Sequence, residues 1–313
     1  MPMFNFIWSR PDKGYRLMQD DNGKDYLEEK PGSRDKLYSP LEEYPGMFFE
    51  FAEARTTKDV LNFANKYGLI FGGFFDPYGE RGELRLVKHD ASGIEDPDNF
   101  LFWSRNMRRI IELYKWIQTG EPQEVGDRII WENGNVYFYT ADKIPVPAFE
   151  SMQEGDFYCL AGVEKPWFNN AYSDWFDGEK DGPARLIVQY NVNDRLRKAP
   201  LALASDNKGE FKPYILPISL YDALWVQLFQ WITGMKKFIP CEICGRMMEL
   251  TEQNRSSKRA HDSCRRNKWA KKDKEVRTMV FGLLSQGKTM DEISASQNVP
   301  VDKIKKWIGG AQS

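Results

Sequence analysis

Residues 241–264 read CEICGRMMELTEQNRSSKRAHDSC, and this stretch decides how the C-terminal part of the chain folds. Cys241 and Cys244 form one pair with two residues between them, His261 and Cys264 form a second, and sixteen residues separate the pairs. A two-residue gap lets a tight turn aim both side chains at one point, and thiolate and imidazole are the donors Zn2+ prefers. Three of the four cysteines and one of the two histidines lie here. Four protein ligands leave no open position for water, so the spacing predicts a structural rather than a catalytic zinc. Disulfides do not fit: three clustered cysteines and a distant Cys159 are not the paired framework of a secreted scaffold.

Working outward, Gly245 suits a turn that needs a left-handed backbone, and Asp262 and Ser263 suit a helix entrance, where short polar side chains accept free N–H groups. That arrangement, one ligand pair on a hairpin turn and the other at the start of a helix, is treble-clef-like. It predicts a zinc unit over residues 236–274 that anchors a helix carrying Arg265, Arg266, Lys268, Lys271 and Lys272. Arg255, Lys258 and Arg259 add charge in the spacer between the ligand pairs. From residue 235 onward there are 17 Lys+Arg against 9 Asp+Glu; with totals of 44 and 46, residues 1–234 hold 27 against 37. The net charge of -2 therefore divides into +8 and -10. A concentrated basic segment on an acidic protein is the footprint of a polyanion contact.

Residues 275–286 read as a helix with Val276, Val280, Leu283 and Leu284 on one face, stopped by Gly287. The next run, KTMDEISASQNVPVDKIKKWI, reads as two short helices joined at Asn298-Val299-Pro300. This is similar to the helix-turn-helix of resolvase-like and LuxR-like regulators. Ile293 and Ser294 match the apolar and small positions of the first helix, Asn298 the turn residue that tolerates positive φ, and Val299 and Ile304 the core contacts. Gln297 stands where such motifs carry an apolar residue. The likeness implies a three-helix unit over residues 275–313, with Lys303, Lys305 and Lys306 on or beside the helix that meets DNA.

A second resemblance spans residues 220–272: the apolar LYDALWVQLFQWI, then CEICGRMMEL, then HDSCRRNKWAKK. This order looks like a group of uncharacterised bacterial proteins that end in a zinc knuckle. More distantly it resembles the CGNR-type zinc fingers of bacterial transcription regulators. In this chain His261 stands where those fingers have cysteine, and Arg265 where they have glycine. The resemblance covers less than a quarter of the sequence and implies nucleic-acid binding, with DNA ahead of RNA as the expected partner.

Residues 1–235 read as one large mixed body, for which 41% hydrophobic and 14% aromatic content supplies ample core. Strand candidates are residues 4–8, the hairpin 15–18 and 25–27 around Asn22-Gly23, a second hairpin 128–131 and 136–139 around Asn133-Gly134, and residues 185–190, 200–204 and 211–216. Helix candidates are residues 58–67, capped by Thr57 and stopped by Gly68, and residues 99–119 and 220–232. The predicted fold class is thus α+β, followed by the zinc unit and the helix-turn-helix. This body is expected to take a small-molecule or protein ligand, and its aromatic loop at residues 166–178 is a candidate lid.

Enzyme chemistry finds little support. There is no phosphate-cradling glycine motif and no Gly-x-Ser-x-Gly elbow, and the only histidine outside the zinc set is His89. Carboxylates such as Glu80 and Glu83, or Asp174 and Asp177, are too common in this half to single out a hydrolytic pair. The longest apolar stretch, residues 214–234, is interrupted by Pro217, Asp222, Gln227 and Gln230, so no membrane span is expected. Residues 1–14 do not read as a secretory signal, and reduced thiols fit the cytoplasm. The reading is a zinc-stabilised, DNA-binding transcriptional regulator, with a homodimer as the natural way to add contacts. Its alternatives are an interaction component of a phage-defence or toxin-antitoxin system, or an enzyme targeted to nucleic acid.

Overall fold

The computed structural model describes residues 3–4, 6–71, 73–76, 85–88, 95–132, 135–138, 178–197, 199, 201–205, 211–215, 217–251 and 260–309. The chain forms two compact units, Met1–Lys237 and Phe238–Ser313, and mixes helices with small sheets. In chain order the elements begin with β1 (Met3–Phe4), β2 (Trp8–Pro11), β3 (Tyr15–Gln19), β4 (Asp25–Glu29) and β5 (Asp35–Tyr38). Three helices follow, α1 (Pro40–Glu43), α2 (Met47–Glu53) and α3 (Thr57–Tyr67), then β6 (Gly73–Asp76) and β7 (Arg85–Lys88). Next come α4 (Pro97–Thr119), α5 (Gln123–Gly126), β8 (Ile129–Glu132), β9 (Asn135–Phe138), α6 (Asp181–Leu196), β10 (Leu201–Ser205), β11 (Phe211–Ile215) and α7 (Leu220–Ile232). The C-terminal elements are β12 (Lys237–Pro240), β13 (Met247–Leu250), α8 (Asp262–Ser285), α9 (Met290–Gln297) and α10 (Val301–Gly309).

Strand pairing in the first unit is mostly local. β3 and β4 form a hairpin, β2 and β5 pair antiparallel around it, and β6–β7 and β8–β9 are further antiparallel pairs. The exception is a three-stranded sheet in which β11 pairs antiparallel with β10 and parallel with β1, joining residues 3–4 to residues 214–215.

The centre of the first unit is α7. Its sequence is apolar on most of its circumference, which suits a helix enclosed by others, and all but three of its thirteen residues are buried. Ser219 and Asp222 form a capping box at its N-terminus. Asp222, Gln227 and Gln230 are its buried polar residues, and the Gln227 amide is fully used: Oε1 accepts from Phe48 N at 3.3 Å, while Nε2 donates to Pro40 O and Tyr44 O at 3.0 Å each. It thereby locks α7 to the α1–α2 corner. The long helix α4 closes the end of α2, whose last carbonyls lack helical partners. Ser104 Oγ donates to Phe51 O at 2.7 Å, and Arg108 donates to Ala52 O and Ala54 O at 2.6 Å each. Around these bonds Phe51 packs edge-on against Phe63, Phe100 and Tyr221.

Gly68 follows α3 as expected, at φ 91 and with Ser9 O 2.8 Å from where a Cβ would stand, so both conformation and space demand glycine. Three local readings change. The cap of α3 is Thr56, whose hydroxyl accepts from Asp59 N, and not Thr57. The expected strand 4–8 divides into β1 and the start of β2. Residues 185–190 belong to α6: their β-branched run looks strand-like in isolation, but Ala184, Ile187, Val188 and Val192 are buried at helical spacing. The expected turn at 133–134, the loop residues 166–177, Glu80, Glu83, His89, Cys159, Asp174 and Asp177 lie outside the described residues.

Glu95 is buried, with Oε2 accepting from Ile70 N at 2.7 Å and Phe71 N at 3.4 Å, while Oε1 has no partner among the described residues. Burial pushes its carboxyl up from 4.5 to about 8, against those two N–H bonds. Between these pH values the folded chain holds a proton that the unfolded chain has released, so this group's contribution favours folding at low pH and fades as pH rises toward 8. Glu95→Gln is expected to remove that fall. Urea unfolding at pH 6 and pH 8.5 should show wild type losing on the order of a few kcal/mol relative to the variant. Equal pH slopes would contradict the assignment.

In the second unit, Val280 of α8, Ile293 of α9, Val299, and Ile304 and Trp307 of α10 form a buried cluster, with Val276, Leu283 and Leu284 packed on it. Asn298 takes φ 53 between α9 and α10, the left-handed turn its amide side chain tolerates. Thr289 and Glu292 form a capping box for α9. The helix expected to enter at Asp262 and the one expected from residue 275 are a single element: α8 runs unbroken from Asp262 through Ser285.

Candidate metal centre

β12 and β13 are paired strands joined through Cys241–Cys244 and Gly245. The turn closes by Gly245 N donating to Cys241 O and Cys241 N donating to Arg246 O, both at 2.8 Å, with Gly245 at φ 72. His261 is the residue that caps α8, and Cys264 lies in its first turn, so the second pair sits on one face at a helix entrance. All four sequence-predicted ligands are brought together, with their ligand atoms within 4.8 Å of one another.

The spacing fits a tetrahedron. Metal–sulfur bonds of about 2.3 Å and metal–nitrogen bonds of about 2.0–2.1 Å require sulfur–nitrogen edges of about 3.6 Å. His261 Nδ1 stands 3.5 Å from Cys244 Sγ and 3.8 Å from Cys264 Sγ. On the far side of the ring, His261 Nε2 lies 3.3 Å from Met247 O. A proton on Nε2 donated to that carbonyl leaves the Nδ1 lone pair facing the thiols, the tautomer a cation needs.

The thiols are free, with Cys241 buried, Cys264 half-buried and Cys244 exposed. Burial works to raise the Cys241 thiol, but N–H groups of Cys244, Ile243 and His261, with the Cys244 side chain, outweigh it and hold it down at about 6. Cys264 moves the other way: the Cys244 thiol beside it, its partial burial and Cys241 push it up to about 11. One thiolate therefore forms readily and makes the next costly, a conflict that a dication at the centre removes. The apolar support is slight. Cys241, Met248 and Ala260 are buried together, with Ile239, Leu250 and Cys264 against them.

From this base α8 extends as a basic rod. Every side chain from residue 265 to residue 272 is exposed, and only past Asp273 does a face become covered. Arg265 pairs with Asp262 in the preceding turn, whereas among the described residues no ion pair ties down Arg266, Lys268, Lys271 or Lys272. Lys303 is exposed and paired, with Nζ 2.6 Å from Asp273 and 5.0 Å from the centre of the Trp307 ring. Arg277 donates to Trp307 O at 3.2 Å and also helps hold α10 to α8. Lys305 and Lys306 are exposed on α10. Arg255, Lys258 and Arg259 lie outside the described residues.

Sequence reasoning missed two features here. The Met247 carbonyl behind His261 is backbone and leaves no trace in composition. Trp269, 75% exposed on α8, had a visible signal: it is a lone aromatic inside RRNKWAKK, where no apolar stripe accounts for it. Among the described residues no helix is long and apolar enough to cross a membrane. No protein-family model, curated protein or solved structure gives a significant match to this chain, so its function must be argued from the chemistry of this site.

Proposed function

We propose that the chain is a zinc-stabilised DNA-binding protein, with Zn2+ held structurally by Cys241, Cys244, His261 and Cys264. The observation that carries this reading is the continuity of α8. Its first turn holds two of the ligands, its middle presents Arg266, Lys268, Lys271 and Lys272 to solvent, and its last turns pack into the cluster around Val280. Zinc at the base fixes the direction of a rod whose charge suits phosphates. The hairpin turn and helix entrance support a treble-clef-like description. The left-handed Asn298 between α9 and α10, with Ile293, Val299 and Ile304 buried, supports a helix-turn-helix description of residues 275–313.

In this proposal α10 offers Lys305 and Lys306 to DNA, while Lys303 keeps α10 in place. Kinship with CGNR-type regulators, action in the cytoplasm, dimerisation and a ligand-sensing role for residues 1–235 belong to the same proposal. Four to six phosphate contacts from one copy give weak, salt-dependent binding, which a dimer would strengthen. The test joins metal analysis to binding: purified full-length protein should carry one zinc per chain and shift a mixed-sequence DNA duplex at low salt. Metal-free protein that folds and binds equally well, or zinc-loaded protein that binds no nucleic acid, would refute it.

A further inference from the structure

Trp269 lies 75% exposed in the middle of the basic rod, the most exposed of the large apolar side chains described. Residues 265–272 hold five cations and no acid, and helical spacing places Arg265, Arg266 and Lys272 on the face that Trp269 occupies, with Asp273 beyond them paired to Lys303. Water is a poor environment for an indole, and leaving this one in it costs burial energy that a partner can recover. The neighbours decide which partner. A second copy meeting this face would set Arg265, Arg266 and Lys272 against their own equivalents, which like-charge repulsion opposes. A bilayer-binding helix needs an apolar face, and here only Ala270 accompanies Trp269. An indole framed by cations matches one chemistry well, a phosphate backbone whose bases have an open π-face.

We infer that α8 is a stacking platform for unpaired DNA, with Trp269 taking a base while the surrounding cations track the strand. This rests on the proposed DNA-binding function and narrows it, because bases inside an intact duplex are stacked on each other and offer no free face. Stacking of a base on an aromatic side chain is worth about 1–3 kcal/mol, or about 5- to 150-fold in affinity. The side chains that usually wedge into duplex steps are smaller apolar ones.

The experiment uses zinc-loaded full-length protein with Trp269→Ala, Trp269→Phe and a variant in which Arg266, Lys268, Lys271 and Lys272 are Ala. Fluorescence anisotropy measures binding to single-stranded DNA, the same sequence as duplex, the matching RNA strand, and vesicles of phosphatidylserine. The inference expects single strand bound more tightly than duplex by wild type. Trp269→Ala should lose about tenfold on the single strand, within the range above, and little on the duplex, with Trp269→Phe retaining most of the affinity. A loss shared equally by both DNA forms, no loss at all, a preference for RNA, or tight vesicle binding that depends on Trp269 would overturn it. If the four-Ala variant still lowers binding to DNA in those cases, the DNA-binding reading survives and only the stacking role falls. If wild type binds no DNA, both fall. Sedimentation of wild type and Trp269→Ala adds a further check, since self-association abolished by the substitution would assign Trp269 to a dimer contact and overturn the stacking role.

Discussion

Removing the metal, by chelation or by Cys264→Ser, is expected to unfold residues 238–264 and the first turns of α8 while Met1–Lys237 keeps its own unfolding transition. The apolar cluster at the site, Cys241, Met248 and Ala260 with three half-covered neighbours, is too small to hold a segment of this length. Ordering each residue costs about 1–2 kcal/mol, and a few buried side chains return only about 1.5–3 kcal/mol apiece. A structural zinc supplies about 10–16 kcal/mol in small metal-dependent domains, so under the proposed function it would be the dominant favourable contribution here. The other half of the second unit is different in kind, because Val280, Ile293, Val299, Ile304 and Trp307 form a metal-free core.

The expected result is therefore a partial collapse. Limited proteolysis of chelated protein should cut first within residues 238–264, and a thiol reagent should count three newly reactive cysteines there. Calorimetry should retain the transition of the first unit. His261→Cys is expected to keep the metal, since a fourth thiolate completes a sound ligand set, whereas His261→Ala should lose it. DNA binding should fall with the metal, because the rod loses its fixed base. A chelated protein with protected thiols and unchanged binding would contradict the central role given to the site.

What the sequence reveals depends on whether a physical constraint falls on side chains or on something else. Leu220–Ile232 is legible because a predominantly apolar segment with Ser219 and Asp222 at its entrance favours one fate, a buried capped helix. The metal ligands are legible because tetrahedral geometry restricts both residue type and spacing. Residues 185–190 mislead because a six-residue window centred on Leu186, Ile187 and Val188 and ending in Tyr190 satisfies either period, and only the wider spacing from Ala184 to Val192 separates them. The continuity of α8 is hidden for the opposite reason. Asp262 and Ser263 mark its entrance and Val276 onward its later turns, but periodicity follows a helix through the face it buries, and residues 265–272 bury none, so the two expected helices do not read as one. That same lack of a buried face is what leaves Trp269 and four cations open to a partner. Charge alone does not separate Lys303, paired with Asp273, from Lys305; both are exposed, and the pairing is visible only once α10 is placed against α8.

Changing Arg266, Lys268, Lys271 and Lys272 together to Ala is expected to weaken DNA binding severely and to flatten its salt dependence. Each phosphate neutralised on duplex DNA contributes about 0.9 to the slope of log affinity against log salt, so losing four contacts should reduce that slope by about 3.6. Over a fourfold rise in salt those contacts alone account for about a 150-fold change in wild-type affinity, which the variant should no longer show. The substitutions touch no packed face, and Ala is a better helix former than the residues it replaces, so the melting transitions should stay where they are. Lys303→Ala supplies the contrast. Losing its bond to Asp273 and its place over Trp307 should loosen α10 and lower the stability of the second unit, while leaving the salt slope close to that of wild type. A quadruple variant with the full wild-type slope would place the phosphate contacts elsewhere than on the exposed turns of α8.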